Sequence, residues 1–111
     1  MSPPSPLAAR KAARADKHRQ DDALRALHEQ ALVLMSDRQR AAPVMARAQA
    51  AVSKWESART CSPFYVEEWW RILANPVEEL RERVLRAAAP NGVALMHNTP
   101  FGFLLREPEA V

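Results

Sequence analysis

The sequence predicts an all-α protein, a small bundle of four or five helices. Three observations carry this. The chain of 111 residues has only 2 glycines and is rich in Ala, Leu, Arg and Glu, all good helix formers. Its β-branched residues are few, which argues against an extended sheet. Ser62-Pro63, Asn75-Pro76 and Thr99-Pro100 each set a capping residue before a proline, the order in which helices begin.

Residues 1–6, MSPPSP, hold three prolines and are expected to lack structure. From Leu7 the run LAARKAARADKHRQ favours helix but has almost no large apolar residue. It is expected to fray or to project. Residues 1–20 therefore read as a flexible basic arm, 21–106 as one helical domain and 107–111 as a loose tail. From Leu24 an apolar seam appears: Leu24, Leu27, Ala31 and Leu34, then Arg38, Ala41, Met45, Ala48, Val52 and Trp55. Either one helix of about 8–58 is kinked at Pro43, or two helices turn back on each other around 37–42. Interior proline is costly, about 3 kcal/mol, so a break or sharp kink is favoured, and Pro43 would then open the second helix. Alanine holds three of the ten seam positions and buries little area. Packing within the chain is thus favoured, with self-association as a homodimer the rival.

Ser62-Pro63 and Asn75-Pro76 predict a tightly joined pair of helices, about 63–74 and 76–88. Glu78 stands three residues after Asn75, as in a capping box. The first helix sets Tyr65, Val66, Trp69, Trp70, Ile72 and Leu73 on an arc roughly 160° wide. Phe64 falls outside that arc and Trp70 on its rim. The second helix sets Val77, Leu80, Val84 and Ala88 inward, with Leu85 beside them. Glu79–Arg83 and Glu82–Arg86 have the spacing of ion pairs on its outer face. Beyond Pro90-Asn91-Gly92, a turn, residues 93–96 predict a short helix capped by Asn91. Phe101, Phe103, Leu104 and Leu105 are expected to lie back over the core. A hairpin of 93–97 with 101–105 is the alternative.

Net charge is +3, with 11 Lys and Arg against 6 Asp and Glu in residues 1–60, and 5 against 7 in residues 61–111. The single Cys61 permits no internal disulfide, which suits a reducing compartment, the cytoplasm. No apolar run reaches signal-peptide or membrane-spanning length. No phosphate loop, zinc pattern or cofactor motif is present, so neither metal nor cofactor is expected. His18, Asp21 and Asp22 share a helical face, best read as solvated. A pairing of Cys61 with His97 is not required by anything in the sequence. A helix-turn-helix reader is disfavoured, because Glu78, Glu79 and Glu82 would meet the phosphates.

What remains is a non-catalytic module that binds another protein as an adaptor, regulator or inhibitor. The expected contact patch is Phe64, Trp70 and Arg71, aromatics on a rim beside arginine. The alternative is non-specific binding of nucleic acid through Arg10, Lys11, Arg14, Lys17 and Arg19.

Overall fold

A computed structural model describes residues 5–106. The expectations for residues 1–4 and for the 107–111 tail lie outside the described residues. Every regular element is helical, and the body is 54 Å long and 29 by 28 Å across.

Helix α1 (Pro6–Met35) runs unbroken through both the basic arm and the first part of the seam. Ser5 opens it, its hydroxyl accepting from the Ala8 amide at 3.2 Å. Helix α2 (Arg38–Ala58) follows after two residues. The expected break is real but falls at Ser36-Asp37, nearly two turns before Pro43, which sits inside α2. The cause is local. The Ser36 amide and hydroxyl both donate to the Leu32 carbonyl, at 3.0 and 2.8 Å, closing α1. The Asp37 carboxylate accepts from the Gln39 amide at 2.9 Å, opening α2. Such a stop and start needs no glycine. Arg59 ends α2 in the left-handed region, at φ 54° and ψ 40°, and the Thr60 amide reaches back to the Trp55 carbonyl.

Helix α3 (Pro63–Ala74) begins as expected, with the Ser62 hydroxyl accepting from the Phe64 amide at 3.3 Å. The second member of the pair differs from expectation. Helix α4 (Pro76–Glu79) passes at once into a π-helical stretch, Leu80–Leu85, and stops there rather than at residue 88. The Arg86 amide bonds five residues back, to the Arg81 carbonyl, and Arg86 itself is extended. Two tertiary contacts sit at this wide turn. The Arg25 guanidinium donates to the Leu85 carbonyl. Gly92 comes so close that a β-carbon there would stand 2.6 Å from the Val84 carbonyl oxygen. Ala88 is consequently exposed, not inward-facing as the helical spacing predicts. Nor does Asn75 complete a capping box; its side-chain amide donates to the Glu78 carboxylate instead, at 3.0 Å. Both expected ion pairs, Glu79–Arg83 and Glu82–Arg86, form, and Arg83 also reaches Glu68 on α3 at 3.1 Å.

Two short helices finish the described chain, α5 (Gly92–His97) and α6 (Phe103–Arg106). The hairpin alternative is not adopted. Asn91 precedes α5 without a side-chain cap bond. Phe101, Phe103 and Leu104 are buried as expected, but Leu105 is 62% exposed.

One core unites these elements. Leu27, Ala31 and Leu34 of α1 meet Val44, Ala48 and Val52 of α2. Val66, Trp69, Ile72 and Leu73 of α3 close over them, with Leu80, Val84, Leu95 and Phe101. The seam is thus consumed within the chain, leaving Arg38 exposed. His28 sits in this core with no exposed surface, parallel to the Trp69 ring at 5.9 Å and edge-on to Phe101. Its Nδ1 is 2.6 Å from the Leu24 carbonyl, which only accepts, so Nδ1 carries the proton. Its Nε2 then accepts from the Thr99 hydroxyl at 2.7 Å. The Thr99 oxygen in turn accepts from the Phe101 amide at 3.0 Å. Burial lowers the His28 pKa below its ordinary 6.5, and the Leu24 hydrogen bond opposes part of that shift. The Trp69 indole N–H donates to the Asn98 carbonyl at 2.6 Å, tying α3 to the same turn.

Candidate functional site

The helical faces fix what is left for function. With Trp69 and Val66 committed to the core, the next residue round α3, Trp70, falls at the boundary with solvent, half-buried. The seam of α2 ends at Trp55, also half-buried. Between the end of α2 and the length of α3 the two tryptophans line an open groove of about 990 Å³. Cys61, Pro63, Val66 and Ala74 add apolar surface. Four charged residues complete its lining: Glu56 and Arg59 from the end of α2, Glu67 and Arg71 from α3.

These four charges are not equivalent. Arg71 is held by Glu67 at 2.8 Å and by Glu68 at 3.3 Å. Arg59 and Glu56 make no ion pair or side-chain hydrogen bond among the described residues. Arg59 is also held in a backbone conformation that glycine or asparagine usually occupies, at a cost of roughly 1 kcal/mol. The groove therefore pairs a broad apolar floor with one uncommitted guanidinium. An apolar side chain would be desolvated between the rings, and a carboxylate would meet Arg59.

Of the three residues expected to form a contact patch, Trp70 and Arg71 line this groove and Phe64 does not. Phe64 is 49% exposed, its ring edge-on to Tyr65 at 5.3 Å. Trp55 and Arg59 were missed from sequence. Trp55 reads as core because its seam position is apolar, and it packs against the core with one side only. The turn at Arg59 carries no glycine to announce it.

The arrangements considered for catalysis do not assemble. Cys61 lies in the groove, while the His97 imidazole is engaged with Asp21 of α1 at 2.8 Å and is absent from the groove lining. Among the described residues no group of three His, Cys, Asp or Glu side chains is placed to hold a metal ion. This includes His18, Asp21 and Asp22. Glu67, Glu68 and Glu79 are engaged by Arg71 and Arg83, and Glu78 by the Asn75 side-chain amide.

The basic arm is helical, and residues 5–20 are exposed without exception. At about 100° per residue, Arg10, Lys11, Arg14 and Lys17 occupy one side, while Arg19 points elsewhere and pairs with Asp16. No helix among the described residues is long and apolar enough to cross a membrane. No family model matches the chain, and no match was found among the curated proteins or the solved structures.

Proposed function

We propose that the protein is a non-catalytic cytoplasmic interaction module, an adaptor, regulator or inhibitor. It receives an apolar side chain of a partner protein in the groove between α2 and α3. One observation carries the proposal: two half-buried tryptophans flank an open apolar groove whose lining includes Arg59, an arginine with no ion-pair partner among the described residues. Aromatic anchors in desolvated pockets, bordered by arginine, dominate the energetics of protein interfaces. The preferred ligand is a segment with one aromatic or branched apolar residue beside an Asp or Glu. Cys61 at the groove has no second cysteine to pair with, which suits a reducing compartment.

Peptides selected from a random displayed library on the full chain test this directly. The expected winners carry the apolar anchor next to an acid and protect Cys61 from alkylation when bound. Arg59→Glu is expected to weaken them about tenfold, equivalent to about 1.4 kcal/mol, and Trp70→Ala to weaken them more. Selected peptides that bind both variants as they bind the parent, leaving Cys61 unprotected, would place the interaction elsewhere.

A further inference from the structure

We infer that the first half of α1 is a preformed arm for the phosphate backbone of double-stranded DNA, distinct from the α2–α3 groove. The observation is a juxtaposition that only an unbroken helix creates. Arg10, Lys11, Arg14 and Lys17 project within an arc of about 120° over about 10 Å of helix. None of the four has an ion-pair partner among the described residues, and all are exposed. The acid within this stretch, Asp16, is occupied by Arg19 off the stripe. Asp21, further along the same side, is turned to His97 at the body of the protein.

The rest of the arm determines which polyanion fits. Ala8, Ala9, Ala12, Ala13 and Ala15 cover the other sides of the helix. Small residues keep it close to the 10–12 Å diameter of an ordinary helix, and a duplex major groove about 12 Å wide admits such a rod. An anionic membrane is a poorer match. A helix that lies in a bilayer interface buries a face of Trp, Phe or Leu, and here the only large apolar side chain is Leu7. The arm has no aromatic residue on which single-stranded bases could stack. Nor does the stripe offer a side chain suited to reading adenine or cytosine edges. It recognises charge and spacing, and binding is non-specific in sequence.

Four phosphate contacts imply a definite salt dependence. Each contributes a slope of about −0.9 in log affinity against log salt, or about −3.6 together. Between about 50 and about 200 mM salt the affinity then falls about 150-fold. The test is fluorescence anisotropy of a short mixed-sequence DNA duplex titrated with the full chain across that range. Arg10→Gln with Arg14→Gln is expected to halve the slope, to about −1.8. Arg81→Gln, an exposed arginine remote in sequence from the arm, should leave it unchanged. Because every arm residue is exposed, the double variant keeps the parent circular dichroism spectrum in the body of the protein. Absence of binding at low salt overturns the inference. So does a slope that the arm variant leaves intact, or equal weakening by Arg81→Gln. Tighter binding to vesicles containing phosphatidylserine than to the duplex overturns it in favour of a membrane surface.

Discussion

The groove between α2 and α3 and the first half of α1 are both open to partners, but they stand in different relations to the fold. Val66 and Trp70, which line the groove, also pack against the core, as does Trp55 from the other side. Among the described residues the arm contributes nothing to the core. A groove variant therefore alters stability and recognition together, whereas an arm variant alters charge alone. The comparison also shows two ways of making a helix. Residues 24–35 are helical because burial of Leu27, Ala31 and Leu34 rewards it. Residues 6–20 rest on alanine propensity, the Ser5 cap and continuity with the packed half.

The comparison is broken most forcefully from beneath the groove. Trp69 is fully buried, its ring on His28 and its indole N–H on the Asn98 carbonyl. Trp69→Ala should lower unfolding free energy by about 3–5 kcal/mol in denaturant titration, and collapse the groove while leaving the arm's charges in place. Gly92→Ala comes next. Its new β-carbon would press on the Val84 carbonyl, backbone that cannot swing away, and about 1–3 kcal/mol should be lost. A loss below about 0.5 kcal/mol would mean that the π-helical turn yields easily.

Acid sharpens the same contrast. The unfolded chain takes up a proton on His28 as pH falls through about 6.5, while the folded chain, with its lowered pKa, does not. Stability from this group is therefore complete above about pH 6.5. It declines below that, by at most about 1.4 kcal/mol per pH unit, until the folded value is reached. Urea midpoints measured at about pH 7 and about pH 5 should differ less for His28→Gln than for the parent. The smallest of these effects has the opposite sign. Arg59→Gly relieves the left-handed strain and should stabilise the fold by about 0.5–1 kcal/mol, while weakening any ligand that uses the guanidinium. Stabilisation without loss of binding would separate the groove's function from Arg59.

Much of the fold was legible because its signals are local. Ser62-Pro63 fixed the start of α3, and apolar spacing identified Trp69, Leu80 and the seam as inward-facing. The turn at Ser36-Asp37 carries no glycine or proline to mark it, and Pro43, the stronger sequence signal, is tolerated by α2 at an exposed position near its start. The π-helical stretch has no sequence signature, since it sits at a contact from Arg25, 60 residues away, and at the close approach of Gly92 from beyond the following turn. His28 was unreadable for a related reason. A lone histidine becomes a core residue only when Thr99, 71 residues away, supplies its second hydrogen bond. For the groove, rim position identified Trp70, but Arg59 depends on a turn that no glycine marks.

The separation of arm from body is tested most directly by the unfolding free energy of the chain lacking residues 2–20, beside that of the full chain. The Asp21–His97 pair and every buried residue of α1 are retained in it. The two proteins should unfold with free energies within about 0.5 kcal/mol of each other, the range of surface changes that touch nothing buried. A loss of about 2 kcal/mol or more would show that the arm holds the fold together, and would contradict the division between the two surfaces.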